Sequence, residues 1–445
     1  MSHFSRRKFL QLAAALPSVP LQRAASDPWR EMPRILARIK APTFPKRDFP
    51  VTRFGSINEA IAACNAAGGG RVVIPAGTHV TGPLRLKSRV NLHLSEGSVL
   101  KFSTDPNLYL PAVFTRWEGT ELMNYSPFIY AFDEQDIAIT GSGTLDGQSD
   151  ATHWWNWTRT QGEARRRLVD FGARGIPVAE RVFGDGAFLR PNFIQPYRCR
   201  NVLIEGITVL NSPMWEIHPV LCTNVIVRGV TINSHGPNND GCNPESCRDV
   251  LIDNCSFDTG DDCIALKSGR NNDGRRVGVP VENVVIRNCT MKDGHGGVTI
   301  GSEISGGARN IFAENCRMDS PQLDRALRLK TNSVRGGTIE NVFMRDVTIG
   351  QVKEAIVAVD FNYEEGDAGQ FPPVVRNIDV RNVRSQKSTY GLLLRGYAHT
   401  PITNLRLVNC RFDNVEKADI LQHVKDITLT NVSINGMILN KTFTQ

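Results

Sequence analysis

Asn201-Val-Leu-Ile-Glu-Gly-Ile207 is echoed by Asn224-Val-Ile-Val-Arg-Gly-Val230, Asp249-Val-Leu-Ile-Asp-Asn-Cys255 and Asn283-Val-Val-Ile-Arg-Asn-Cys289. The phrase returns at Asn310, Asn341, Asn377, Asn404 and Asp426, and an earlier copy starts at Asp136. From Asn201 onward, successive copies open 22 to 36 residues apart. A fixed short phrase at such a period is the mark of a solenoid. Each copy alternates β-branched and polar residues with no helical periodicity, and Gly, Asn and Asp punctuate its ends. The unit is therefore a coil of short strands, and the fold is all-β: a right-handed, single-stranded parallel β-helix. Coils of this kind stack about 4.8 Å apart, with aliphatic side chains inside.

Upstream of the repeats, Ile57-Asn-Glu-Ala-Ile-Ala-Ala-Cys64 reads as a helix capping the first coil. It ends at Gly68-Gly69-Gly70, before a strand at 71–75 and further early coils at 82–86, 90–94 and 97–100. Residues 147–195, with Trp154, Trp155 and Trp157, interrupt the repeat as an insertion on one face. The tryptophans suit packing of that insertion better than sugar stacking.

Of ten cysteines, Cys255, Cys289, Cys316 and Cys410 each follow an Asn at the same phase of the repeat, as an internal stack of thiols would. Cys242 and Cys247 form the one candidate bridge, and no spacing matches a zinc site. The net charge is +7, but residues 1–25 carry Arg6, Arg7, Lys8 and Arg23 and no acid. What remains is too mild, and too poor in basic runs, for nucleic-acid binding. Ser5-Arg6-Arg7-Lys8-Phe9-Leu10 followed by a weakly apolar stretch reads as a twin-arginine-like export signal over 1–25. The expected product is a single catalytic domain over 26–445, periplasmic or secreted. No apolar run is long enough to insert in a membrane.

Four polar clusters recur at a similar phase in consecutive copies: Asn238-Asn239-Asp240, Gly260-Asp261-Asp262, Gly294-His295-Gly296 and Arg328-Leu329-Lys330. Taken singly, an Asn-Asp or Asp-Asp turn usually caps backbone amides. Taken together, they predict a ladder up one face. Its carboxylates supply the acid and base of glycosidic hydrolysis, and repulsion between them raises the proton affinity of at least one. Arg328 and Lys330, two apart on a strand, offer two cations to an acidic sugar. The glycines beside His295 are expected to admit a bulky substrate, and the histidine to hold or shuttle a proton.

These motifs, in this order and over roughly residues 48–435, resemble those of glycoside hydrolase family 28, the polygalacturonases and their relatives. The resemblance implies inverting hydrolysis of α-1,4-linked galacturonic acid in pectic polysaccharide or oligogalacturonide, with no metal or other cofactor. It implies that Asp261 is the general acid, that Asp240 and Asp262 hold the attacking water, and that His295 supports the proton state of the acid. Asn238, Arg328 and Lys330 fall on substrate-binding positions, and Tyr363 falls where the family has a substrate-contacting tyrosine. Two departures stand out: Asn-Asn-Asp replaces the commoner Asn-Thr-Asp, and about ten residues are inserted around 271–280. With the 147–195 insertion, the second resembles bacterial members that trim chain ends. The competing readings are a rhamnogalacturonan-type hydrolase, a calcium-dependent pectate lyase and a non-catalytic polysaccharide-binding β-helix.

Overall fold

The structure, a computed structural model, describes residues 27–443. The export-signal expectation falls outside them. Each coil adds one strand to each of three parallel columns. The repeat phrase supplies the first column, as in the strands Thr223–Arg228, Arg248–Asp253 and Val281–Arg287, which pair in register. The second column holds Thr231–Ser234 and Ser256–Thr259. The third runs through Ile264–Leu266, Val298–Gly301, Arg325–Lys330, Ala355–Asp360, Tyr390–Arg395 and Ile420–Gln422. Isolated bridges Ile194↔Ile217, Ile217↔Cys242 and Cys242↔Ile264 carry that column back through the earlier coils.

The phrase forms this structure for local reasons. Its valines and isoleucines, such as Val225, Val250, Ile252, Val284 and Ile286, point inward and are fully buried. Each such side chain contributes about 1.5–3 kcal/mol on burial. The opening residue of every copy lies in the left-handed region, from Asn201 (φ 57°) to Asn404 (φ 56°) and Asp426 (φ 57°). Asn and Asp tolerate that region better than other residues with a side chain. Stacked in register, these amides bond from coil to coil: Asn283 Nδ2 donates to Asp249 Oδ1 (3.1 Å), Asn310 to Asn283 (3.0 Å), Asn341 to Asn310 (3.1 Å) and Asn377 to Asn341 (3.1 Å).

All ten cysteines are buried free thiols. Cys242 and Cys247 are not bridged. Instead, Cys247 Sγ accepts from the amide of Cys222, and Cys222 Sγ from that of Cys199, both at 3.4 Å, which makes a second thiol stack beside the expected one.

The expected cap is the helix Ile57–Ala66. Ser56 Oγ accepts from the Glu59 amide at its start, and Ile57, Ala60, Ile61 and Cys64 close the first coil. A second element escaped sequence reading. Trp29 and the helix Met32–Arg38 lie along the outside of the first column, on Leu203, Ile226, Leu251, Val285, Phe312 and Phe343. The 147–195 insertion contains the helix Gly162–Arg174, and Trp154 packs against Tyr109 and Phe128 as a core residue. A hairpin, Val113–Trp117 with Thr120–Asn124, stands beside that insertion.

The Asn ladder yields a test. Asn310→Ala removes two inter-coil amide bonds and places an alanine at φ 58°. It should lower stability by about 1–3 kcal/mol, read from the shift in urea midpoint, with turnover at 25 °C unchanged.

Candidate active site

The third column turns outward into a groove, and the residues that follow the second-column strands form its floor. Asn239 is the anchor of the first turn. Its Oδ1 accepts from Ser234 Oγ (2.6 Å) and the Gly236 amide (2.8 Å), and its Nδ2 donates to the carbonyls of Ser212 (3.1 Å) and Met214 (3.2 Å). This amide is used up by the backbone, as Asn in a turn usually is. It delivers Asp240 to the groove, where Asp240 Oδ2 accepts from Asn243 Nδ2 at 2.8 Å and lies 3.9 Å from Lys267 Nζ.

One coil on, Asp261 Oδ1 accepts from the Asp262 amide (2.8 Å) and faces His295 Nδ1 at 3.1 Å. Asp262 lies behind, fully buried. Its Oδ1 accepts from Thr299 Oγ1 (2.9 Å) and Arg328 Nη1 (3.1 Å), and its Oδ2 from Lys330 Nζ (2.8 Å). Asp240, Asp261 and Asp262 each present an oxygen within 4.8 Å of the others. Such a trio has the donor set for a metal ion, but here Lys267, Arg328 and Lys330 already answer its charge.

Seven of the eight site residues expected from sequence, Asn238, Asp240, Asp261, His295, Arg328, Lys330 and Tyr363, line one cavity of about 170 Å³, and the eighth, Asp262, supports its floor. Tyr363 faces both cations, with Lys330 Nζ 5.2 Å and the Arg328 guanidinium 5.8 Å from its ring centre. Arg328 and Lys330 both pair with Asp262. One expectation is corrected. The glycine after His295 makes room for the floor rather than for substrate, since a Cβ on Gly296 would lie 2.2 Å from Thr299 Oγ1 and 3.0 Å from Asp262 Oδ1.

The carboxylates differ in proton affinity. Burial and the nearby charge of Asp261 push Asp240 well above the usual range, which Lys267 only partly offsets. Burial also opposes ionisation of Asp261, but the hydrogen bond from His295 holds it below its ordinary value. Asp262 is likewise buried, yet Lys330 and Arg328 hold it far below that value. Of the trio, Asp240 has its proton affinity raised, while Asp261 and Asp262 have theirs lowered. The Asp261 hydrogen bond raises the pKa of His295, against burial.

Sequence reasoning missed the rest of the lining: Glu118, Arg165, Trp215, Lys267, Ser302, Glu303 and Glu364. Lys267 pairs with Glu303 at 2.8 Å and lies 4.8 Å from the Trp215 ring centre. Glu118, at the hairpin tip, accepts from Arg165 Nε (2.8 Å) and Arg270 Nη1 (2.9 Å). Hairpin and insertion helix are thus tied together over the groove, where Arg165 and Arg270 also approach Glu364 (3.8 and 3.6 Å). Lys267 follows the Asp261-Asp262 pair closely enough to have been a signal, whereas nothing in the spacing announces Glu118.

A groove on a parallel β-helix, floored by carboxylates and rimmed by cations, defines the class of β-helical glycosidases. Residues 185–433 match the family model described as Glycosyl hydrolases family 28. A probable polygalacturonase of Vitis vinifera is 30% identical over 363 residues, 79% of this chain and 68% of that protein. A hyperthermoactive exopolygalacturonase from Thermotoga maritima superposes with a TM-score of 0.90 at 41% identity, covering 94% of this chain and 99% of that one. The family 28 exopolygalacturonase of Yersinia enterocolitica shares the fold at 24% identity and TM-score 0.71, over 90% and 78% of the two chains. The chain belongs to glycosyl hydrolases family 28. It is an enzyme that hydrolyses glycosidic bonds, so the lyase and the non-catalytic readings fall away.

The histidine supplies a pH test. Because Asp261 raises its pKa, His295 stays protonated past the ordinary value of about 6.5 and loses its charge only as the pH climbs further. Wild-type kcat/KM should fall through that raised value. His295→Gln should start from a lower plateau and lack this alkaline limb; an unchanged pH profile would remove the histidine from the mechanism.

Proposed function

We propose that the protein releases galacturonic acid from the ends of α-1,4-linked galacturonan chains by inverting hydrolysis. The observation that carries this reading is the cluster of three carboxylates beside Arg328 and Lys330, in a groove partly roofed by Glu118, Arg165 and Arg270. A cation pair beside the acid and base suits a substrate that bears a carboxylate, and this favours galacturonan over linkages beside rhamnose. The exopolygalacturonase named in the comparison with Thermotoga maritima supports attack at chain ends, as does the roofed groove.

In this reading Asp261 protonates the leaving glycosidic oxygen while Asp240 and Asp262 orient a water against the anomeric carbon and take its proton. The substrate carboxylate on Arg328 and Lys330 draws those cations away from Asp262, which frees that oxygen for the water. Asp261 must carry a proton before the bond breaks, and protonated His295, with Nδ1 3.1 Å from Asp261 Oδ1, is placed to supply it. Asn238 and Tyr363 hold the sugar. The carboxylates approach more closely than the roughly 6.5–9.5 Å usual for an inverting pair, so the inverting assignment rests on family membership rather than on spacing. Arg6-Arg7 and the weakly apolar stretch after them support export, and buried thiols fit a domain folded in a reducing compartment first.

Digestion of polygalacturonate tests the proposal. Monogalacturonate should be the sole product from the first minutes, and proton NMR should show its β-anomer before mutarotation. Chelation of calcium should leave the rate unchanged. A falling ladder of oligomers would rule out end attack, and an α-anomer seen first would rule out inversion.

A further inference from the structure

Arg190, near the end of the 147–195 insertion, is fully buried and takes no part in the chemistry above. Its Nη1 donates to the carbonyls of Pro213 (2.9 Å) and Pro237 (2.6 Å), and its Nη2 to Asn238 Oδ1 (2.7 Å). Its Nε has no partner, and no carboxylate among the described residues pairs with it. A buried guanidinium without a counter-ion is costly. Burial pulls its pKa down to about 10, so it remains a cation at neutral pH.

A guanidinium only donates hydrogen bonds. Asn238 must therefore turn its oxygen towards Arg190, which leaves its NH₂ group for the cavity that Asn238 lines. The two asparagines of the first motif thus divide their work: the amide of Asn239 is spent on the backbone, and that of Asn238 is held as a donor facing the substrate. The acids lining the cavity, Glu118, Glu303 and Glu364, are each engaged by Arg165, Arg270 or Lys267, whereas no carboxylate among the described residues lies within ion-pair distance of Arg190 and only the more distant charge of Glu118 acts on it.

We infer that Arg190 is a positioning residue that acts through Asn238, aiming the amide donor, with a buried guanidinium that has no ion-pair partner behind it, at the carboxylate of the sugar seated beside Asn238 in the groove. This rests on the proposed galacturonan substrate. The residue belongs to the insertion, so the segment that roofs the groove also orients a motif residue from another coil.

The test is calorimetric binding of trigalacturonate and of its methyl ester, in an Asp261→Asn background that halts turnover. Arg190→Gln should weaken binding of the free acid about tenfold and of the ester less. In an Asn238→Ala background the same change should have little further effect. Arg190→Lys, which keeps the charge and packs more gently, should fall between, and it carries the test if the glutamine variant fails to fold. Equal losses on acid and ester, an undiminished effect without Asn238, or no loss at all would overturn the inference. Failure of the wild-type protein to release galacturonate would strike the proposed function instead, since the binding comparison does not depend on turnover.

Discussion

Register is the constraint on which the rest depends. In a parallel stack each residue sits directly above its counterpart in the previous coil, at about 4.8 Å. Any residue type repeated at one phase therefore becomes a column. Valine and isoleucine columns fill the interior, asparagine columns knit the turns through side-chain amides, and thiol columns pack like small apolar groups. The same rule brings together side chains that repel. Asp240 stands one coil from Asp261 and Asp262, and a structure that stacks carboxylates must either neutralise them or hold a proton among them.

Both solutions are present, on different residues. Asp262 is neutralised by two cations two coils away, while Asp240, with Lys267 no closer than 3.9 Å, has its proton affinity raised by burial and by Asp261. Asp261 lies between these extremes, with a half-exposed histidine as its partner. Three chemically identical side chains are thereby given three proton affinities by their surroundings, and this lets a small cluster contain both an acid and a base. In the proposed reading, an acidic sugar perturbs the balance, because its carboxylate competes with Asp262 for the same two cations.

How much was legible in the sequence follows from the same rule. Columns announce themselves: the Asn-initiated phrase disclosed the fold, and the four polar motifs disclosed the groove floor, because their spacing is the coil. Contacts made by excursions from the coil carry no such period. The hairpin that presents Glu118, the buried Arg190 and the helix Met32–Arg38 on Leu203, Ile226 and Leu251 each meet partners far away in sequence. The role of Gly296 was misread for a related reason. Its demand is set by Asp262 and Thr299 from neighbouring positions on the floor, and the motif alone does not show which side of the glycine is crowded.

We propose that the groove separates proton transfer from substrate capture, the first by the carboxylate column and the second by Arg328, Lys330 and their neighbours. The most direct measurement compares trigalacturonate binding and hydrolysis by Asp261→Asn with those of the wild-type protein. The account predicts a dissociation constant within about threefold of the wild-type KM, with kcat lower by at least about 10³-fold. Hydrolysis within tenfold of wild type, or loss of binding from a normally folded variant, would contradict it.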